Sequence, residues 1–66
     1  MTVRLNGEPR EVPEGCTLRG LVEWLGANPQ AVAVAVNGEV VPRAEHPGRA
    51  VVEGDRVEVI RAVGGG

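Results

Sequence analysis

The first apolar and polar alternations along the chain predict a β-hairpin. Val3 and Leu5 alternate with polar residues, as expected of a strand with one buried face. Asn6-Gly7 follows, and both residue types tolerate the positive φ angles of a type I′ turn. Residues 8–12 are then the returning strand. Because Pro9 lacks a backbone N–H, we expect this second strand at an edge of the sheet.

The next segment has the apolar spacing of one amphipathic helix. Four apolar residues fall at positions i, i+3, i+4 and i+7: Leu18, Leu21, Val22 and Leu25. Thr17 is the predicted N-cap. Gly26 or Asn28 is expected to adopt the left-handed conformation that ends the helix, and Pro29 prevents its resumption. Gly20 costs about 1 kcal/mol relative to Ala inside a helix, which indicates close packing at that position.

A valine-rich stretch predicts a second hairpin in the interior of the sheet. Val32, Val34 and Val36 share one face of a strand, and alanines occupy the other face. Apolar residues on both faces are typical of a central strand. Asn37-Gly38 supplies a second hairpin turn, and Glu39–Val41 is its short returning strand.

The last third of the chain predicts a loop and a final strand. Residues 43–49 are a loop with one helical turn, in which His46 is expected to face solvent. Val51 and Val52 are expected to add a short edge segment, and residues 53–55 are a turn. Residues 56–63 alternate as a strand that leads directly into three glycines.

This order of elements predicts an α+β fold of the β-grasp type. Hairpins make neighbouring strands antiparallel, and the helix crosses one face of the sheet in the right-handed sense that such connections prefer. The result is a mixed sheet wrapped around one helix. We expect a single domain over residues 1–66, with residues 64–66 as an extended flexible tail.

Charge, apolar stretch length and cysteine content exclude several classes of protein. The net charge of −2 and the pI of about 5.2 supply no basic field for nucleic acid or an acidic membrane. The longest apolar stretch, residues 31–36, is too short to span a bilayer, and no signal peptide is recognisable. A single cysteine, Cys16, fits a reducing cytoplasm. All 7 basic residues are arginines, so no lysine side chain can be acylated.

The residue types that carry catalysis are sparse. Cys16 and His46 are too few to ligate zinc, and the sequence alone does not bring them together as a nucleophile and base. Cys16 is interpreted as a small loop residue before the helix. Trp24 is interpreted as covering the rim of the core, the alternative being an anchor for a partner protein. The chain is therefore not expected to be an enzyme or to bind a metal or cofactor itself.

The final strand predicts a docking surface. If Val57 and Val59 face the helix, Ile60 and Ala62 lie on the open face of the sheet. Apolar side chains exposed beside a chain terminus are typical of protein contacts. We therefore predict a partner-docking surface formed by Ile60, Ala62 and Val63.

The glycine ending predicts chemistry at the terminal carboxylate. Three extended glycines span about 10 Å, and without Cβ atoms Gly64 and Gly65 can thread a narrow channel in a partner protein. The reactive group is then the α-carboxylate of Gly66. ATP can convert that carboxylate to an acyl-adenylate, and a sulfur donor can convert the acyl-adenylate to a thiocarboxylate.

These stretches resemble one known family over essentially the whole chain. The helix TLRGLVEWLG, the segment VAVNGEVVPR, the approach GDRVEVI and the ending AVGGG are similar to the ThiS-type sulfur carriers of thiamine biosynthesis, which are ubiquitin-like β-grasp proteins. Gly65 and Gly66 match the family's diglycine, and Gly64 is an additional tail residue.

The resemblance implies a pathway and partners. A ubiquitin-activating-like adenylyltransferase, using ATP and magnesium, would adenylate Gly66. A cysteine desulfurase or another persulfide donor would supply the sulfur, and thiazole synthase would take it for the thiazole ring. The chain itself would be a monomeric cosubstrate that docks transiently.

Three alternatives share the same terminal chemistry or the same fold. One is a sister carrier for tRNA thiolation, molybdopterin or cysteine synthesis, although the bulky aromatic residue that often precedes the diglycine in molybdopterin carriers is replaced here by Val63 and Gly64. The second is a ubiquitin-like modifier joined to lysines through Gly66. The third is an interaction module with a passive tail.

Overall fold

The computed structural model describes residues 1–61. Its elements follow the predicted order of strand, strand, helix, strand, short strand and final strand. They are β1 Thr2–Leu5, β2 Glu8–Glu11, α1 Leu18–Trp24, β3 Val32–Val36, β4 Glu39–Val41, a 3₁₀ segment Arg43–Gly48 and β5 Arg56–Arg61.

Both predicted hairpin turns are confirmed by their backbone angles. Asn6 and Gly7 have φ of 51° and 86°, and Asn37 and Gly38 have φ of 51° and 87°. Positive φ at both central residues is the signature of a type I′ turn, whose twist matches that of the strands it joins. The two turns set the register of the β1–β2 and β3–β4 pairs.

The described strands form one mixed sheet in the order β2-β1-β5-β3-β4. Strand β5 pairs in parallel with β1 and antiparallel with β3. Strand β2, which carries Pro9, lies at an edge as predicted, and β3 lies in the interior. The last described strand therefore occupies the centre of the sheet.

Helix α1 begins and ends at the predicted residues. The Thr17 side chain accepts a hydrogen bond from the Gly20 backbone N–H at 3.1 Å, which satisfies one of the free donors at a helix start. After the helix, Gly26 has φ of 78°. The N–H groups of Gly26 and Ala27 donate to the carbonyls of Glu23 and Val22, the pattern of a Schellman motif.

The core lies between α1 and one face of the sheet. It is almost entirely aliphatic, as the near absence of aromatic residues predicts. Its buried members are Val3, Val12, Leu18, Leu21, Val22, Val32, Val34, Val36, Val41, Val51 and Val57. Leu25, the fourth residue of the predicted helical stripe, is partly buried against them.

Three expectations were wrong. His46 is 1% exposed, because its 3₁₀ segment turns the ring inward and the Nε2–H donates to the Val41 carbonyl at 2.9 Å. Val51 and Val52 form no strand; the neighbouring Ala50 makes an isolated bridge to Thr17 at the start of the helix. Gly20 is not closely packed, since an added Cβ would lie 3.5 Å from its nearest neighbouring atom.

Candidate functional site

Strand β5 is held unequally on its two sides. On one side, β3 pairs with β5 from Val57 to Arg61. On the other side β1 pairs only as far as Leu5, which lies opposite Val57. The half of β5 that leads toward the glycines therefore has a strand neighbour on one side among the described residues.

The side chain of Asn6 extends the pairing on the short side. The Asn6 N–H donates to the Val57 carbonyl at 2.9 Å, as a regular parallel ladder requires. The next bond of such a ladder would run from the Val59 N–H to the backbone carbonyl of Asn6. Instead the Val59 N–H donates to the side-chain Oδ1 of Asn6 at 2.9 Å, so the amide oxygen takes the place of the backbone carbonyl.

Asn37 makes the equivalent substitution on the other side of β5. Its N–H donates to the Arg56 carbonyl at 2.8 Å, and the Arg56 N–H donates back to the Asn37 Oδ1 at 3.0 Å. The Asn37 Nδ2 also donates to Asp55 Oδ1 at 3.1 Å, and the other oxygen of Asp55 accepts from the Val52 N–H at 3.0 Å. The buried Asp55 carboxylate thus has a partner for each oxygen.

Sequence reasoning missed these side-chain roles. It assigned Asn6 and Asn37 to their turns because of their backbone angles alone. A signal was present, since glycine would satisfy the same angles and both turns nevertheless begin with asparagine. The side-chain amide supplies what glycine lacks.

The open face of the sheet carries an exposed apolar patch. Ile60 is 55% exposed and lies opposite Ala33, and Val40 is 74% exposed and lies opposite Ala35. We call the three exposed residues Ala33, Val40 and Ile60 the open-face patch; Ala35 is 8% exposed. The predicted position of Ile60 on the open face is confirmed, and its role in docking stays a prediction.

Basic residues lie at the other end of the open face. Arg4 and Arg56 lie directly opposite each other in the parallel pair, and Glu58 lines the same shallow depression. Like charges placed opposite each other cost stability. The open face thus combines an apolar area near the end of β5 with a pair of guanidinium groups near its start.

Five predicted site residues lie outside the described residues: Ala62, Val63, Gly64, Gly65 and Gly66. Their assignments as docking residues, threading residues and reactive terminus stay predictions. What the structure does place is the strand that precedes them, which ends at Arg61 in the middle of the sheet.

The remaining singled-out residues do not converge on a reactive centre. Cys16 is half-buried against the core and is not disulfide-bonded. The Nδ1 of His46 has no hydrogen-bond partner within residues 1–61, so these residues do not form a nucleophile and base pair. Trp24 is 48% exposed, with the Arg10 guanidinium 5.5 Å from its ring centre, which places it across the rim of the core against the edge strand.

The described part of the chain contains neither a metal-binding cluster nor a membrane-spanning helix. No group of three or more His, Cys, Asp or Glu residues within residues 1–61 could hold a metal ion. No helix in the same range is long and apolar enough to cross a membrane.

Comparison with known proteins agrees with this geometry. The sulfur carrier protein ThiS of Thermus thermophilus is 44% identical over 64 residues, covering 97% of this chain and 98% of that protein. The crystal structure of the thiamine biosynthesis protein ThiS from Geobacter metallireducens superposes with a TM-score of 0.86 at 35% identity, with each chain fully covered. That match confirms the β-grasp fold.

A thiazole synthase of Magnetococcus marinus is also similar, at 42% identity over 66 residues. This chain covers 20% of that synthase, so the similarity concerns about a fifth of the longer protein. The model of the ThiS family matches residues 3–66, a range that includes the strand held by the two asparagines, the open-face patch and the glycine ending. On this evidence the chain belongs to the ThiS family.

Proposed function

We propose that the chain is a sulfur carrier of thiamine biosynthesis that works through the α-carboxylate of Gly66. The observation that carries the proposal is the family match, which extends through residue 66 and so includes all three glycines. The described fold supports it, because a central strand of the sheet leads directly toward that ending.

The chemistry begins with activation of the carboxylate. A carboxylate oxygen of Gly66 attacks the α-phosphorus of ATP, and pyrophosphate leaves. A ubiquitin-activating-like adenylyltransferase with magnesium catalyses this step, since the metal and the enzyme neutralise the phosphate charge. The chain supplies the nucleophile and the docking surface, and acts as a cosubstrate.

Sulfur is then exchanged for the activated oxygen. The terminal sulfur of a persulfide, formed by a cysteine desulfurase or a similar donor, attacks the acyl carbon and AMP leaves. The product is an acyl disulfide. A second thiol attacks the donor-side sulfur, forms a disulfide with the donor, and releases the thiocarboxylate of Gly66. The chain has no lysine, so its own side chains offer no amine to intercept the acyl intermediates.

Thiazole synthase is the proposed acceptor of the sulfur. The similarity of this chain to a segment of thiazole synthases from two organisms supports a carrier and a synthase acting together. Transfer of the sulfur, with oxygen returned by water, regenerates the carboxylate. We propose that the carrier acts in the cytoplasm as a monomer that binds each partner transiently.

Reconstitution with purified partners tests the proposal. The chain ending at Gly66 is incubated with the activating enzyme, ATP, magnesium and a persulfide donor, and its intact mass is followed. We expect one oxygen at the C-terminus to be replaced by sulfur, and the product to support thiazole formation by thiazole synthase. If the carboxylate never acquires AMP or sulfur, the proposal is wrong; conjugates to lysines of other proteins would indicate a modifier instead.

Two variants locate the chemistry within the tail. Deletion of Gly66 is expected to abolish adenylation, and Gly65→Val is expected to block it, because a branched side chain does not fit a channel shaped for glycine. Gly48→Val is the matched control, since an added Cβ at Gly48 meets no atom within 4 Å and the site lies in the 3₁₀ segment. Normal adenylation of the Gly65→Val protein would remove the threading argument.

A further inference from the structure

We infer that Asn6 is a positioning residue that anchors the C-terminal half of β5 and so fixes the direction of the strand at Arg61. The hydrogen bond from the Val59 N–H to the Asn6 Oδ1, at 2.9 Å, is the observation that carries it. Its consequence for adenylation rests on the proposed function, whereas the anchor itself does not.

This bond lies beyond the point where the backbone pairing between β1 and β5 ends. Backbone pairing between β1 and β5 ends at Leu5 and Val57, and the Asn6 side chain contributes one further bond on that side. Val59 lies two residues before Arg61, so the bond restrains the strand close to its described end. Without it, β3 would be the only described strand that bonds to this part of β5.

Asn37 provides a comparison with Asn6 within the same chain. It has the same residue type, the same φ of 51° and the same amide substitution for a backbone carbonyl. Its bond, however, restrains Arg56 at the start of β5. Asn37 also donates to Asp55 Oδ1 at 3.1 Å, so loss of its amide removes one more hydrogen bond than loss of the Asn6 amide, but at the opposite end of the strand.

Glycine substitutions isolate the amide from the turn. Asn6→Gly and Asn37→Gly both keep the positive φ of a type I′ turn and remove only the side chain. Amide hydrogen exchange and ¹⁵N relaxation of the full chain are then measured. In Asn6→Gly we expect the Val59 amide to exchange about fivefold to tenfold faster, the range that one hydrogen bond makes in an opening equilibrium.

The relaxation data test whether the Asn6 side chain anchors the end of β5. We expect the order parameters of residues 59–61 to fall in Asn6→Gly from the rigid range of about 0.85 toward the flexible range, and to stay unchanged in Asn37→Gly. Asn6→Asp retains an acceptor oxygen and a tolerance for positive φ, and should restore the wild-type values. Unchanged order parameters in Asn6→Gly, or an equal fall in both glycine variants, would overturn the inference.

Adenylation kinetics test the consequence for the tail. We expect Asn6→Gly to raise the KM for the carrier on the order of fivefold with little change in kcat, because the activating enzyme must then order the strand end on binding. Asn37→Gly should keep the wild-type KM. An unchanged KM in Asn6→Gly would show that the Asn6 bond does not affect adenylation of the tail. If the wild-type chain is not adenylated, the proposed function is wrong, and the order parameters still test whether Asn6 anchors β5.

Discussion

Val34 and Val40 lie on neighbouring strands of one sheet, yet Val34 is 1% exposed and Val40 is 74% exposed. The difference follows from the pleat: Val34 points toward α1, while Val40 lies opposite Ala35 on the open face. The same residue type therefore serves the core on one face and solvent on the other. The contrast indicates that residues on the open face can be substituted with little effect on the core in a chain of only 66 residues.

The largest expected effect is the difference in stability between two single variants, Val34→Ala and Val40→Ala. Val34→Ala should lower the free energy of unfolding by about 2 kcal/mol, since it removes buried methyl groups and leaves a cavity. Val40→Ala should change it by less than about 0.5 kcal/mol. Urea unfolding of both variants measures the difference. Equal losses of unfolding free energy would show that the two faces contribute equally to stability, contrary to their burial.

The open face is tested next by adding a charge. Ile60→Asp should weaken binding to the activating enzyme about tenfold, or roughly 1.4 kcal/mol, because it places a carboxylate within the proposed contact. Val52→Asp is the matched control, because Val52 is 56% exposed and lies outside the sheet. Titration calorimetry that gives the same affinity for both variants would remove Ile60 from the docking surface.

The helix that covers the core face supplies a smaller effect. Thr17→Ala removes the side chain that accepts from the Gly20 N–H and should cost about 1 kcal/mol. Binding to the activating enzyme should be unchanged, because α1 lies on the face opposite the open-face patch. Loss of affinity in a Thr17→Ala protein that is still folded would mean that the two faces are coupled.

The smallest expected effect is a gain in stability at Gly20. A Cβ at this position would make ordinary contacts, at 3.5 Å to Thr17 Oγ1 and 3.9 Å to Cys16 Cβ. Gly20→Ala should therefore raise the free energy of unfolding by about 0.5 to 1 kcal/mol. Thermal unfolding measures the change, and a destabilised Gly20→Ala protein would show that the site does not accommodate the added methyl group as these distances indicate.

Local chemistry made much of this fold predictable from the sequence. The two Asn-Gly pairs fix their turns, Thr17 fixes the start of α1, and Pro9 confines its strand to an edge, because each of these effects depends on a few adjacent residues. The alternation in β5 likewise predicted that Ile60 would be exposed.

The features that were not predictable depend on contacts between distant residues. His46 was expected in solvent because its sequence neighbours are polar, and its burial follows from a hydrogen bond to the Val41 carbonyl. The bond between Asn6 and Val59 joins residues 53 positions apart. No local pattern reveals which of several free backbone groups a side-chain amide will reach.

The central place of β5 also affects how the molecule is made. Translation produces both hairpins and the helix before it produces β5, which is the strand that joins the two hairpins into one sheet. Until β5 emerges from the ribosome, β1 and β3 each lack the neighbour that completes them. Folding of this sheet must therefore await nearly the whole chain, and a nascent protein stalled before Arg56 would expose two incomplete sheet edges to chaperones or to aggregation.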